Sequence, residues 1–254
     1  MNIAIITGAS SGLGEKFALE IDKSRDNIEE IWLIARRADK LEALAQKLSK
    51  KVRILPFDIT AENFAAEYTN ALKTTKANVR ILINNAGFGK LGDFTEISPE
   101  NNCGMVRLNC EALTLTTSLT LPFMNEGGEI INSCSIASFA PNTRMAVYSS
   151  TKAYVMSFSR ALRVELKSRK INCLACCPGP MDTEFLSLAG IAKGSSHTFD
   201  TLPRVNPEIM ARNSLKASSR KKAVYTCRIF YKFFPQLCKV KSVYIAVFIN
   251  ISSS

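Results

Sequence analysis

Short apolar runs alternate with longer amphipathic stretches along most of this chain. Each short run is rich in Ile, Val and Leu, which is typical of a parallel strand buried on both faces. Six strands are predicted, over residues 2–7, 30–35, 52–59, 79–83, 129–134 and 171–177. Helices are predicted from just after the glycine-rich turn to about 23, and over 41–50, about 62–75, 98 to about 120, and 148 to about 168. This alternation predicts an α/β fold, a three-layer doubly wound parallel sheet (Rossmann fold), with ligands at the carboxyl ends of its strands.

The pattern changes in the last third of the chain. Residues 184–206 are rich in Gly, Ser and Thr and lack a long period, which predicts a mobile lid or substrate loop. A short helix is predicted over 207–216, and 221–226 is a candidate final strand. The segment from about 228 to 254 is basic and aromatic, and three alternatives stay open for it: packing on the core or a second subunit, lying on a membrane surface, or partial disorder. No linker or repeat divides the chain, so residues 1–254 are predicted to form a single domain.

The charge balance narrows the classes of partner. Lys and Arg number 33 against 22 Asp and Glu, which gives a formal charge of +11. Such a balance suits nucleic acid, a membrane surface or an anionic ligand. The sequence contains no recognisable nucleic-acid-binding module, so nucleic acid is not predicted as a partner.

The cysteines and the single histidine indicate the compartment and exclude some chemistry. Cys173, Cys176 and Cys177 share one apolar strand, where free buried thiols are favoured over a metal site. Because His197 is the only histidine, no metal centre and no Ser–His catalysis are predicted. The chain begins directly with a strand pattern and has no run of 18 apolar residues. We therefore expect a cytoplasmic, reduced, soluble protein.

A glycine-rich turn joins the first predicted strand to the first helix. It follows the spacing GxxxGxG over residues 8–14. Glycines permit a tight turn and let backbone N–H groups approach a pyrophosphate, while the helix N-terminus adds partial positive charge. In this strand–turn–helix context the motif predicts a dinucleotide site, and a plain structural turn is the alternative. Its candidate residues are Gly8, Ser10, Ser11, Gly12, Leu13 and Gly14.

The second predicted strand ends in Arg36 and Arg37. Proteins that bind NAD usually carry an acidic residue here for the ribose hydroxyls, and no acid lies between Ile31 and Ala38. Two guanidinium groups would instead pair with a 2′-phosphate. NADP(H) is therefore the predicted cofactor, and two arginines on a solvated loop are the alternative.

The next two strand ends add cofactor candidates. The third strand ends at Asp58 and Ile59, which are placed to reach the adenine. Asp58 is also a candidate cap for the helix that follows, and both roles are compatible. The fourth strand breaks at a run of small residues that allow a planar ring to approach, and Asn85, Ala86 and Gly87 are the candidates there.

Tyr148 and Lys152 lie four residues apart in a predicted helix and so share one face. A nearby ammonium favours the phenolate and lowers the pKa of a phenol from its ordinary value of about 10. The phenol of Tyr148 is therefore predicted to donate or accept a proton near neutral pH. Ser135 follows the fifth strand, where its hydroxyl can hold a substrate oxygen. Asn109 lies in the middle of the long helix, where a packed polar contact and a surface position are both open.

Taken together, these motifs resemble the short-chain dehydrogenase/reductase family. The resemblance covers about residues 2–185, and the later part more loosely resembles a branch with DltE-like reductases, 3-oxoacyl reductases and hydroxysteroid dehydrogenases. One departure is Ser133-Cys134, which replaces the usual apolar-Ser pair before the catalytic serine. The matching motifs are TGxxxGxG at 7–14, NNAG at 84–87, the catalytic tetrad Asn109, Ser135, Tyr148 and Lys152, and Pro178, Gly179 and Thr183 in the segment that meets the nicotinamide carboxamide.

The resemblance implies an NADP(H)-dependent oxidoreductase that interconverts a ketone and a secondary alcohol by hydride transfer. Tyr148 would be the general acid/base, and Ser135 would donate a hydrogen bond to the substrate oxygen. Lys152 would tune Tyr148 and hold the nicotinamide ribose. Asn109 would support a water chain that resupplies the proton.

The substrate and the assembly are less constrained. A homodimer or homotetramer is the family expectation. One rival hypothesis is a non-catalytic NADP(H)-binding sensor or scaffold, and a second is an enzyme tied to a membrane surface through 228–248. A bulky apolar ketone or alcohol, of the steroid or 3-oxoacyl type, is favoured by the loop residues Phe88, Phe94, Phe139, Phe185 and Leu186.

Overall fold

A computed structural model describes residues 1–191 and 201–227 of the chain. Its strands are β1 (Asn2–Thr7), β2 (Glu30–Ile34), β3 (Lys51–Leu55), β4 (Asn78–Asn84), β5 (Glu129–Ser133), β6 (Asn172–Cys176) and β7 (Val224–Tyr225). They form one sheet in the order β3-β2-β1-β4-β5-β6-β7, and every neighbouring pair is parallel. The candidate final strand is therefore confirmed, although it is only two residues long.

Helices cover both faces of this sheet, as a doubly wound fold requires. They are α1 (Gly12–Ser24), α2 (Ala38–Ala45), α3 (Phe64–Thr75), α4 (Pro99–Val106), α5 (Leu113–Thr120), α6 (Ala146–Glu165), α7 (Glu184–Leu188) and α8 (Pro207–Ser219). Buried residues of α1, α2 and α8 pack in one core, and those of α3 and α6 pack in another. The predicted three-layer Rossmann fold is confirmed.

Strand β1 illustrates why the apolar runs form the centre of the molecule. Its side chains alternate between the two cores: Ala4 and Ile6 lie in the core with α1 and α8, while Ile3 and Ile5 lie in the core with α3. All four are fully buried. A strand with helices on both sides has no solvent-facing side, so an unbroken apolar run is the pattern that suits it.

Two predicted boundaries differ from the structure for identifiable physical reasons. Helix α2 ends at Ala45 rather than at residue 50, because the Asp22 carboxylate accepts hydrogen bonds from the backbone N–H groups of Ser49 and Lys50 at 3.0 and 2.8 Å. Strand β3 ends at Leu55 rather than at residue 59, since Pro56 has no N–H to donate to the sheet.

The predicted long helix is interrupted. It begins as expected, with Ser98 Oγ accepting from the Asn101 N–H at 3.3 Å and Pro99 in the first turn. A π-helical turn, Arg107–Ala112, then separates α4 from α5. Such turns are rare and often mark functional positions.

The predicted loop over 184–206 is wrong for its first five residues, which form α7. Residues 192–200, which belong to the predicted mobile lid or substrate loop, lie outside the described part. The segment 228–254, with its three alternatives, also lies outside it. Among the described residues, no helix combines the length and apolar character needed to cross a bilayer.

Candidate active site

Four strand ends meet at one edge of the sheet and carry most of the predicted site residues. The glycine-rich turn follows β1, residues 85–87 follow β4, Ser135 lies just after β5, and Pro178 lies just after β6. Because β1, β4, β5 and β6 are parallel neighbours, their carboxyl ends lie side by side. The fold thus brings motifs that are far apart in the sequence to one place.

The glycine-rich turn adopts a backbone that glycine favours. Gly8 has φ +66° and Gly12 has φ +56°, both in the left-handed region. A Cβ on Gly14 would overlap the Gly8 carbonyl oxygen and lie 2.6 Å from Asn85 Nδ2. Ser11, before α1, makes no side-chain cap, so it leaves the first-turn N–H groups to other partners. Residues 8–14 thus form a cradle at the N-terminus of α1, called the nucleotide cradle below. Its shape fits the pyrophosphate of a dinucleotide.

Hydrogen bonds hold the segment after β4 against the glycine-rich turn. Thr7 Oγ1 accepts from the N–H groups of Asn85 and Ala86 at 3.0 and 3.1 Å. Asn85 Nδ2 donates to the Gly8 carbonyl at 3.2 Å, and Asn85 Oδ1 accepts from Ser133 Oγ at 3.1 Å. Asn85 and Ala86 therefore lie at the same edge as the turn, as a shared cofactor site would require.

Ser135, Tyr148 and Lys152 are all buried and lie together. Lys152 Nζ lies 5.7 Å from the centroid of the Tyr148 ring and donates to the Ser133 carbonyl at 2.8 Å. The Ser135 hydroxyl lies close enough to the Tyr148 phenol to lower its pKa, and Ser135 Oγ accepts from the Ala137 N–H at 3.1 Å. The three predicted side chains thus lie together in one buried region.

The charge state of this group differs from the sequence prediction. Burial raises the pKa of the Tyr148 phenol well above its ordinary value, and the hydrogen bond with Ser135 offsets this only in part. Burial also lowers the pKa of the Lys152 ammonium. The predicted lowering of the phenol pKa by Lys152 is wrong for the protein alone, because loss of hydration on burial is the largest effect on this pKa and the nearby Cys134 thiol raises it further. Tyr148 is therefore protonated at neutral pH.

Cys134, next to the serine, is also part of this buried region. Its Sγ donates to the Lys152 carbonyl at 3.1 Å. Burial raises the pKa of Cys134, but hydrogen bonds with Cys177 and Ser138 and the charge of Lys152 together bring it to about 7. The thiols of Cys173, Cys176 and Cys177 are free and buried, as predicted.

Asn109 lies in the π-helical turn and is buried. Its Oδ1 accepts from the Phe88 N–H at 3.0 Å, and its Nδ2 donates to the Phe88 carbonyl at 2.9 Å and to Thr151 Oγ1 at 3.1 Å. The packed polar contact is confirmed and the surface position is wrong. A Cβ on Gly87 would lie 2.8 Å from Asn109 Oδ1, so the glycine leaves room for this amide.

The two arginines after β2 contact different residues. Arg37 reaches the glycine-rich turn, with its Nη2 3.0 Å from both Ser10 Oγ and Ser11 Oγ. Arg36 is 78% exposed, and its Nη1 lies 4.0 Å from Asp58 Oδ2. The structure therefore places Arg37 at the nucleotide cradle and leaves Arg36 at its outer edge.

Asp58 closes a turn after β3. Its Oδ1 accepts from the backbone N–H of Thr60 at 2.9 Å and from the Thr60 hydroxyl at 2.6 Å. Helix α3 begins only at Phe64, so the predicted helix-cap role of Asp58 is wrong. Ile59 beside it is buried in the core with α3.

The predicted nicotinamide segment flanks the same edge. Pro178 and Gly179 are buried, and the Pro178 carbonyl accepts from the Ile136 N–H at 3.0 Å beside Ser135. A Cβ on Gly12 would lie 3.4 Å from Thr183 Cβ. The residues after β6 therefore run from the serine back to the glycine-rich turn.

Three residues of the site were not singled out from the sequence. The Ser133 carbonyl anchors Lys152, and the Thr151 hydroxyl bonds Asn109. Glu184 Oε2 lies 2.9 Å from Arg37 Nη2, although the two residues are 147 positions apart. No local pattern marks these contacts, because each depends on how distant segments pack.

A parallel sheet with a glycine-rich turn after its first strand, and buried polar side chains at its carboxyl edge, defines a dinucleotide-binding α/β protein. The short chain dehydrogenase family matches residues 2–190. The chain belongs to that family, which confirms the predicted resemblance, and it is an oxidoreductase of that kind.

Similar proteins agree with this assignment. An uncharacterized oxidoreductase of Staphylococcus aureus is 30% identical over 184 residues, which are 71% of this chain and 78% of that protein. A short-chain dehydrogenase from Sphingobium yanoikuyae, solved with NADPH, is 28% identical with a TM-score of 0.80, over 98% of this chain and 96% of the other. A 3-ketoacyl-(acyl-carrier-protein) reductase from Brucella melitensis, solved with NADH, is 25% identical with a TM-score of 0.76, over 90% and 96% of the two chains.

Proposed function

We propose that this protein is an NADP(H)-dependent oxidoreductase that interconverts a ketone and a secondary alcohol. The observation that carries the proposal is the buried group of Ser135, Tyr148 and Lys152, beside a cradle suited to a dinucleotide. A protonated phenol in a region sheltered from water can give a proton to a carbonyl oxygen.

Each residue has a distinct task in this proposal. Tyr148 donates its proton to the carbonyl oxygen during reduction and accepts it back during oxidation. Ser135, whose hydroxyl lies near the phenol, binds the substrate oxygen and fixes its position. Lys152, held by the Ser133 carbonyl, places a positive charge near the phenol and binds the nicotinamide ribose. The bound nucleotide supplies or takes up the hydride.

Asn109 has a positioning role in the same proposal. Its amide holds the backbone of Phe88 and the hydroxyl of Thr151, next to the helix that carries Tyr148. We assign it the support of a water chain that returns a proton to the phenol through Lys152. Because both Nδ2 hydrogens are used in these contacts, the Asn109 amide would fix the backbone around the path and would not transfer the proton itself.

The preference for NADP(H) rests on the two arginines after β2. Arg37 contacts the glycine-rich turn, and Arg36 lies at the outer edge of that turn. No acidic residue lies between Ile31 and Ala38 at the end of β2. Arginine pairs well with a 2′-phosphate. The Sphingobium yanoikuyae dehydrogenase, with NADPH bound, supports this choice, whereas the Brucella melitensis reductase was solved with NADH.

Replacing Arg36 and Arg37 together by alanine should weaken NADPH binding about 10- to 100-fold, because losing the equivalent of one charge-assisted hydrogen bond to the 2′-phosphate costs about 1.5–3 kcal/mol. NADH has no 2′-phosphate, so its dissociation constant should change less than about threefold. Isothermal titration calorimetry measures both. Lys73→Ala, on α3, removes a similar charge elsewhere and should change neither. An equal loss for the two nucleotides would mean that the arginines do not select the phosphate.

We propose a bulky apolar substrate, of the steroid or 3-oxoacyl type. Tyr148 packs in an apolar cluster with Met105 and Met145, and the Phe185 ring lies 5.6 Å from the Tyr148 ring. A cavity of about 270 Å³, lined by parts of 90–105 and 143–147, lies beside this cluster. The activity named for the Brucella melitensis reductase also supports a 3-oxoacyl substrate.

For methyl ketones of increasing chain length, kcat/KM should rise about fourfold for each added methylene until the cavity is filled, since burying one contributes about 0.8 kcal/mol. Steady-state kinetics across the series measures this. Phe185→Ala should flatten the rise, while Val164→Ala, at an exposed site on α6, should leave it unchanged. A kcat/KM that falls with length would contradict a bulky substrate.

A further inference from the structure

Arg37 and Glu184 form an ion pair across the mouth of the nucleotide cradle. Arg37 Nη2 lies 2.9 Å from Glu184 Oε2 and also contacts Ser10 Oγ and Ser11 Oγ, each at 3.0 Å. Glu184 is the first residue of α7 and follows Thr183, which packs against Gly12. One carboxylate therefore connects α7 to the arginine that the proposed function gives to the 2′-phosphate.

The contacts of Glu184 resemble those that an anionic ligand would make. Hydrogen bonds with Arg37 and Ser11 lower the pKa of Glu184, so its carboxylate is charged at neutral pH. A guanidinium has a limited number of N–H donors, and those that bind a carboxylate are not available to a phosphate. Two anions at one arginine also repel each other.

The pair is also accessible to a competing ligand. The side chains of Arg37 and Glu184 are 43% and 44% exposed, so water screens their attraction and the pair is weak. A bound phosphate can therefore displace the carboxylate, but it must compete with it. The competition affects only the part of the ligand that contacts Arg37.

We propose that Glu184 is a specificity-determining residue, whose carboxylate competes with the 2′-phosphate of the cofactor for Arg37 and so narrows the preference for NADPH over NADH. The inference rests on the proposed NADP(H) site.

The test is Glu184→Gln, which keeps the size of the side chain and removes its charge. The dissociation constant of NADPH should fall about 3- to 10-fold, and that of NADH should change less than twofold. Calorimetric titration of the full chain gives both without an enzyme assay. Glu208→Gln is the matched control, because Glu208 is an exposed glutamate on α8 that pairs with Lys16 at 3.6 Å. It should change neither constant.

An Arg37→Ala background separates this inference from the proposed function. If Arg37→Ala weakens NADPH binding and Glu184→Gln no longer tightens it in that background, the competition is supported. If Arg37→Ala weakens NADPH binding but Glu184→Gln tightens it in neither background, the inference is overturned and the proposed cofactor stands. An equal fall in the dissociation constants of NADPH and NADH would also overturn it. Such a result would mean that the lost negative charge acts on both nucleotides and not on the 2′-phosphate. If Arg37→Ala leaves NADPH binding unchanged, the proposed cofactor site fails and the inference falls with it.

Discussion

Tyr148→Phe should lower turnover about 10²- to 10⁴-fold, the range that general acid–base catalysis contributes. The dissociation constant for NADPH should stay within about twofold of the wild-type value. The substitution removes only the phenolic oxygen, and the phenyl ring can keep its packing against Met105, Met145 and Phe185. Steady-state kinetics and calorimetric titration of the same preparation measure the two quantities.

The pH dependence should follow from the raised pKa of Tyr148. Burial keeps the phenol protonated at neutral pH, which suits proton donation to a ketone. Alcohol oxidation needs the deprotonated phenol, whose fraction increases as the pH rises toward the raised pKa. Oxidation by the wild type should therefore increase with pH, and this increase should be absent in Tyr148→Phe.

Tyr154→Phe is the matched control for this prediction. Tyr154 lies on the same helix, is 43% exposed and bonds Thr114 Oγ1 at 2.8 Å, away from Ser135. It should retain wild-type turnover. If Tyr148→Phe also retained turnover within threefold of the wild type, the phenol would not be the proton donor, and the proposed mechanism would be wrong.

The parts of the fold that could be predicted are those whose signals are local. A strand buried on both faces is an unbroken apolar run. A Cβ would collide with neighbouring atoms at Gly8 and Gly14, and Gly8 and Gly12 have a positive φ that favours glycine. The spacing of Tyr148 and Lys152 fixes their common helical face. The order of such signals along the chain was enough to predict the sheet and the grouping of the polar residues at its edge.

The features that could not be predicted depend on contacts between distant segments, or on the burial of a side chain in the folded protein. Helix α2 does not continue to residue 50 because Asp22, on α1, accepts hydrogen bonds from the Ser49 and Lys50 amides. No pattern within residues 38–50 indicates this contact. The pKa of Tyr148 is raised mainly by burial, which the spacing of Tyr148 and Lys152 does not reveal. Neither the burial of Tyr148 nor the contact of Asp22 with residues 49 and 50 can be inferred from adjacent residues alone.

Gly14→Ala should weaken binding of both NADPH and NADH at least about 100-fold and lower the free energy of unfolding by about 1–3 kcal/mol. The new methyl group would overlap the Gly8 carbonyl oxygen and lie 2.6 Å from Asn85 Nδ2. These atoms cannot easily move, because Asn85 Nδ2 donates to that carbonyl and Thr7 holds the Asn85 backbone. Helix α1 would have to shift away from the turn, and the cradle would lose its shape. Calorimetric titration and urea denaturation measure the two effects.

Gly104→Ala provides the contrast that tests this reasoning. Gly104 also lies in a helix, but a Cβ there would meet only the edge of the Phe88 ring at 3.3 Å. A ring can move by a few tenths of an ångström, and alanine favours the helix by about 1 kcal/mol over glycine. Stability should therefore change little or increase, and nucleotide binding should be retained. If Gly14→Ala behaved like Gly104→Ala, the close approach of α1 to the turn would not be what forms the nucleotide cradle. NADPH and NADH must weaken together in Gly14→Ala, since both carry the pyrophosphate that the cradle would hold, whereas the arginine variants should separate them.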